Sequence, residues 1–166
     1  MNRMKLVRSL MWFASGAAIC ACEQPVPDPV DPSRVEWSPY GNEDLGFRLE
    51  VPAHYEIHAD GDGVVFTDDG RTALRVTHAD RTEARNRGLW AQVDPTEARE
   101  YGETAGQFYR YRHYDGPTYV PTLAYVVRHR GKDLGVEFRT RRSDLDPVHE
   151  HVLATLELIE EHSRPM

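Results

Sequence analysis

The sequence predicts an α+β domain: an antiparallel β-sheet with helices packed on one face, set behind an N-terminal export signal and a proline-rich linker. Three observations point there. Short apolar runs alternate with period two and are separated by glycine-containing turns, so most strand connections read as hairpins. An apolar stripe of helical spacing closes the chain. No train of alternating strands and long helices suggests a parallel sheet.

The chain opens with Arg3, Lys5 and Arg8, followed by an apolar, small-residue run from Leu10 to Ala21. The run is shorter than the roughly 20 apolar residues of a membrane span, so residues 1–21 read as a signal peptide. From Gln24 to Pro32, four of nine residues are proline. Such a stretch excludes a helix or central strand and biases the chain toward extended geometry. Residues 22–36 are therefore expected to be a semi-rigid tether. A single domain is expected over 37–161, with a short tail at 162–166.

Within that domain, Leu45, Phe47, Leu49 and Val51 alternate with Arg48 and Glu50, the pattern of a half-buried strand stopped by Pro52. Val64–Thr67 and Ala73–Thr77 flank the turn Asp68-Asp69-Gly70-Arg71 and read as a hairpin. Arg81 to Gln92 is expected to be a short helix interrupted by Gly88, capped by Asp80 or Thr82. Pro95 to Tyr101 is expected to add another helical turn or two. Gly106–Arg112, Tyr119–His129 and Leu134–Thr140 read as strands, the last two joined through Gly131-Lys132. Leu145, Val148, Val152, Leu156 and Ile159 recur at three- and four-residue spacing, predicting a helix over 143–158. Asp144 or Asp146 is its expected cap, and Pro147 suits its first turn.

Composition narrows the chemistry. The first 21 residues hold three of the 20 basic residues and none of the 27 acidic ones, so the remainder has a net charge near −10. That sign disfavours nucleic acid and anionic lipid surfaces as partners. Both cysteines, Cys20 and Cys22, fall at the signal, which leaves the domain without a disulfide, a thiol nucleophile or a thiolate metal site. Of the eight histidines, His54 and His58 have helical spacing but sit between a proline and a Gly-rich turn. His149 and His151 are two apart on one helix and do not face each other. His113 and His129 lie on separate strands. Three convergent ligands do not emerge, so no metal or cofactor is expected and the histidines read as solvated surface groups. Asp60, Asp62, Asp68 and Asp69 lack the EF-hand spacing and read as turn formers. Ser38, Ser143 and Ser163 lack a nucleophile elbow, and no pair of acids is singled out for glycoside chemistry.

One patch stands out. Phe108, Tyr109, Tyr111, Tyr114, Tyr119 and Tyr125 lie within 18 residues, interleaved with Arg110, Arg112 and His113. Alternate aromatics on a sheet are core on one face and part-exposed on the other. The second reading is a protein- or glycan-contact face, since tyrosines supply amphipathic contact area. Its expected residues are Tyr109, Arg110, Tyr111, Arg112, Tyr114 and Tyr119, with Pro117 and Pro121 framing a loop at its edge.

Two resemblances follow from these residues. Ile19-Cys20-Ala21-Cys22 resembles the lipobox of bacterial lipoproteins, which implies lipidation of Cys22. Reading Cys20 as the modified residue would put bulky Ile19 at the cleavage point, and an ordinary secretory signal cleaved near Ala21 is the remaining alternative. Glu23, standing where Asp would imply inner-membrane retention in Gram-negative lipoproteins, implies outer-membrane sorting. The domain resembles the PsbP-like/Mog-type fold, on Leu45–Pro52 followed by Tyr55, on Ala124–Val127 with Leu134–Phe138, and on Val152–Leu158. Members of that family serve as accessory, assembly or binding subunits, so no functional residue carries over.

The expected protein is thus a non-catalytic, lipid-anchored envelope protein that binds a protein partner or supports a complex. Two alternatives would look different. An envelope hydrolase would show a deep cleft lined by convergent acids or histidines. A small-ligand carrier would enclose an apolar cavity between sheet and helix.

Overall fold

The computed structural model describes residues 28–115, 118–142 and 144–160. The export signal, Cys22, the first part of the tether, Pro117, Ser143 and the tail at 162–166 lie outside the described residues.

The α+β class holds, with every strand pairing antiparallel. A three-stranded sheet has the order β1 (Trp37–Asn42), β2 (Phe47–Pro52), β10 (Glu157–Leu158). A seven-stranded sheet runs β3 (Glu56–Asp60), β4 (Gly63–Asp68), β5 (Arg71–Ala79), β9 (Lys132–Arg139), β8 (Thr118–His129), β7 (Thr104–Asp115), β6 (Glu97–Tyr101). The helices are α1 (Arg81–Asn86), a 3-10 turn at Trp90–Gln92, and α2 (Pro147–Ala154). Among the described residues, no helix is long and apolar enough to cross a membrane.

The period-two alternation of the central strands feeds two apolar layers, one on each face of the large sheet. Phe66, Leu74, Val76, Phe108, Leu123, Tyr125, Leu134, Val136 and Phe138 face β2 and α2, where Phe47, Leu49, Val51, Val152, Leu153 and Leu156 complete the larger layer. The intervening positions Tyr109, Tyr111, Ala124 and Val126 face α1 and the 3-10 turn, packing with Ala84, Leu89, Trp90 and Ala91. Helical segments therefore cover both faces, where the sequence led us to expect one.

Caps and ends follow local chemistry. Asp80 Oδ1 accepts from Thr82 N at 2.8 Å and Glu83 N at 2.9 Å, which starts α1. The chain then leaves helical geometry, and Gly88 takes left-handed backbone, at φ 73. Asp146 Oδ1 accepts from Val148 N at 2.9 Å, with Pro147 in the first turn of α2.

Three elements differ from expectation. Residues 97–101 form β6 instead of helical turns, because β7 extends far enough to offer Thr104–Phe108 as a partner. The last helix stops at Ala154 instead of Leu158. Thr155 turns its hydroxyl to accept from Glu50 N at 3.0 Å, and Glu157 and Leu158 pair with Arg48 and Phe47 on the open edge of β2. Pro121 lies within β8, opposite Arg112, instead of at a loop edge.

Candidate functional site

β7 and β8 form a 12-residue-by-12-residue hairpin whose far end extends to Asp115↔Thr118. Strand alternation splits the six residues of the expected contact face between two sides of this hairpin. Tyr109 and Tyr111 point under α1 and the 3-10 turn and are 6% and 7% exposed. They belong to the core and are unavailable as surface contacts, which corrects that part of the expectation. Arg110, Arg112 and Tyr114 share the other side and are exposed. Tyr119, directly across from Tyr114, joins them. The Tyr114 and Tyr119 rings sit 5.2 Å apart and are 59% and 66% exposed. Arg110 Nη1 donates to the Arg142 carbonyl at 2.9 Å, which ties its guanidinium to the segment leading into α2.

The buried side of the same strands holds a polar group that the sequence did not single out. Glu137 Oε2 accepts from the Tyr111 hydroxyl at 2.6 Å, and the carboxyl is 2% exposed. Burial pushes its proton affinity up, against the pull of the Tyr111 hydrogen bond and of Arg75, Arg139 and Arg87. Burial also raises the Tyr111 hydroxyl, and Glu137 raises it further. Arg75 links this group outward, with Nη1 3.2 Å from His113 Nε2 and Nε 3.3 Å from Asp60. Asp62 pairs with Arg87 at 2.6 Å. Glu137 reads in sequence as the solvent face of an alternating strand. Nothing in the alternation itself reveals that a second layer covers that face.

On the larger-layer side, a concavity of about 230 Å³ has Glu97, Arg99, Arg110, Asp144 and Glu150 in its wall. Arg99 spans it, donating to Glu150 at 2.8 Å and to Glu97 at 2.9 Å. The Tyr101 hydroxyl donates to the other Glu150 oxygen at 2.7 Å. Burial, reinforced by that bond, pushes the Tyr101 hydroxyl up to about 12. Glu97 and Glu150 are thus tied into an arginine- and tyrosine-centred network, while Glu137, the carboxyl with raised proton affinity, is buried on the opposite face.

The histidines are dispersed. His54 lies 3.6 Å from Asp68, and His58 Nε2 lies 3.2 Å from the Thr67 hydroxyl. His113 and His129 do not come together: His113 meets Arg75, and His129 lies beside His78 with ring centres 6.0 Å apart. His129 is 3% exposed and His149 is largely buried against Phe138, so these two depart from the expected surface placement. Among the described residues, no three His, Cys, Asp or Glu side chains converge as metal ligands.

No model of a known protein family matches the chain, and no curated protein sequence matches it either. Among solved structures, it is similar to a crystal structure from Bacteroides thetaiotaomicron, at 15% identity and a TM-score of 0.49. That likeness covers 69% of this chain and 46% of the other, so the chain spans about half the length of that relative. It is also similar to the solution structure of cyanobacterial PsbP from Synechocystis, at 18% identity and a TM-score of 0.46, over 75% of this chain and 93% of the other.

Proposed function

We propose that this is a lipid-anchored protein of the bacterial envelope that acts by binding, as an accessory subunit held to the membrane through Cys22. Its contact surface is the far end of the β7–β8 hairpin. Tyr114 and Tyr119 are the apolar anchors, and Arg110 and Arg112 set charge register.

The observation that carries this reading is the exposed Tyr114–Tyr119 pair. A cross-strand pair fixes both rings relative to one rigid hairpin, so a partner gains large amphipathic contact area with little further loss of side-chain freedom. Tyrosine and arginine are the residue types that anchor interfaces. Several acyl chains at the lipobox cysteine supply a stable membrane anchor, which charge on an acidic domain does not. The Glu23 position favours the outer membrane.

Crosslinking and pull-down of the full chain from native membranes tests the proposal. Three forms are compared: the unaltered chain, Cys22→Ala, and the double variant Tyr114→Ser/Tyr119→Ser. A partner set recovered with the unaltered chain and depleted in both variants is expected. Retention of the same partners by the tyrosine variant removes the hairpin end as the contact surface. An unaltered chain that carries its lipid yet captures nothing specific overturns the accessory role.

A further inference from the structure

At the proposed contact end, β7 outruns its neighbour on one side. β6 pairs with residues 104–108 alone, and the last bond between the two segments runs from Thr96 N to the Phe108 carbonyl at 2.8 Å. Pro95 comes next; it has no N–H and cannot carry the ladder further. Among the described residues, no strand pairs with β7 beyond Phe108 on that side, while β8 stays paired on the other side as far as Asp115.

The ladder decides which main-chain groups face the vacated side. Residues directly opposite in an antiparallel pair either bond each other or both face away. Thr140 N donates to the Pro121 carbonyl at 3.1 Å, so Pro121 faces away from β7. Arg112 lies opposite Pro121 and therefore turns its N–H and C=O away from β8, toward the vacated side. Tyr114, two residues on, does the same. Both residues are exposed, and among the described residues their side chains take part in no hydrogen bond or ion pair. We propose that this open edge of β7 binds an extended, acidic peptide segment of the partner protein, which adds to the sheet as one more strand. The proposal rests on the contact-face reading and specifies what docks there.

The main chain selects an extended segment, because another strand supplies N–H and C=O groups at the spacing of Arg112 and Tyr114. Charge selects the sign. The other free edges of the large sheet, β3 and β6, carry Glu56 and Asp60, and Glu97 and Glu100, which repel an acidic segment. At β7 the incoming residue meets Arg112, for which a carboxylate is the favourable cross-strand partner. A second copy of this chain fits poorly. Pairing centred on the open run sets Arg112 against Arg112, and like charges directly opposite are destabilising. Beside it, Tyr114 favours a β-branched neighbour on the added strand. The concavity of about 230 Å³ that Thr96, Phe108 and Arg110 help to line opens where β6 stops, which gives room to a side chain of that strand. β8 already holds β7 in place, so the edge needs little ordering to bind.

The probe is the amidated peptide Thr-Glu-Thr-Glu-Thr-Val-Thr with a neutral fluorophore at its amino end, beside a second form carrying lysine for both glutamates. Anisotropy is read against the full chain, purified in detergent. The acidic form is expected to bind saturably, and the lysine form about tenfold more weakly. Arg112→Gln should weaken the acidic form about threefold through charge alone. Arg112→Pro should weaken it about tenfold, since it also removes the edge N–H. Backbone amide exchange in the unaltered chain, with and without the acidic peptide, gives a result independent of how the proline variant folds: slower exchange at Arg112 and Tyr114 is expected. Absence of saturable binding, equal binding of the two peptides, or bound peptide without slower exchange at those two amides overturns the proposal. Partner capture is judged separately. Capture that depends on Tyr114 and Tyr119, with no peptide binding, keeps the contact face and removes the added strand. Peptide binding without capture keeps the edge as a peptide site and removes the accessory role.

Discussion

His149 rides on α2 with its ring centre 4.4 Å from that of Phe138, and its Nδ1 is buried without a hydrogen-bond partner among the described residues. Burial holds its pKa down to about 4, against the upward pull of Asp146 and Glu150. In the unfolded chain the same imidazole titrates near 6.5. Between these values the unfolded state binds more protons, so the neutral ring contributes stability in full above pH 6.5 and loses it as pH falls toward 4. The loss amounts to about 3 kcal/mol. Glu137 slopes the other way, because its raised folded pKa lowers stability as pH climbs above the ordinary carboxylate range. The bare pH profile of the protein mixes both groups. His149→Leu isolates one of them: the variant should hold its stability near pH 4.5 better than the unaltered chain, with the two curves running parallel above pH 7. Denaturant melts across that range read the difference, and parallel curves down to pH 4.5 remove the buried-imidazole account.

The sheet has two slots for aromatic rings, one filled from the 3-10 turn and one from the neighbouring strand β8. A Cβ on Gly135 of β9 would overlap the Trp90 ring, and a Cβ on Gly106 of β7 would overlap the ring of Tyr125. Trp90 is 1% exposed and Tyr125 is fully buried, so neither ring has room to withdraw. The Tyr125 hydroxyl is further fixed by donating toward the Thr104 carbonyl at 2.8 Å. Gly135→Ala should therefore cost about 1–3 kcal/mol by overpacking, lowering Tm by several degrees. A melt within one degree of the unaltered chain shows that the 3-10 turn yields instead. The same slots explain what the sequence does and does not reveal at this scale. The alternation of Phe47, Leu49 and Val51, and of Leu134, Val136 and Phe138, reports burial on one face directly, and both runs are strands as read. β3 escapes that reading because its residues are almost all exposed at the sheet edge. β6 escapes it because Glu-Ala-Arg-Glu-Tyr has no period-two pattern, and only the partner offered by β7 makes it a strand. The end of the last helix is likewise set by the free edge of β2, a tertiary fact that the apolar stripe running on to Leu156 and Ile159 conceals.

Across the whole molecule, the two apolar layers cover the middle of the large sheet and leave the far end of β7–β8 bare. This decides which of the interleaved tyrosines and arginines are surface. The cluster itself is legible in the sequence, and alternation separates Tyr109 and Tyr111 from Tyr114, but which of the two faces is covered depends on where α1 and the 3-10 turn fold back. The division has a stability consequence. Tyr114 and Tyr119 touch each other beyond both layers, so their contribution to folding is that of one cross-strand aromatic pair, under about 1 kcal/mol. Replacing a core tyrosine removes far more buried area and also strands its polar partner, as Tyr111→Phe would strand Glu137 at about 1–3 kcal/mol. Tyr114→Ser/Tyr119→Ser should thus melt within about 2–4 °C of the unaltered chain while losing the captured partner. A melting loss as large as that of Tyr111→Phe would make the exposed pair part of the fold's support, and the depletion seen in the pull-down would then report unfolding instead of a broken contact.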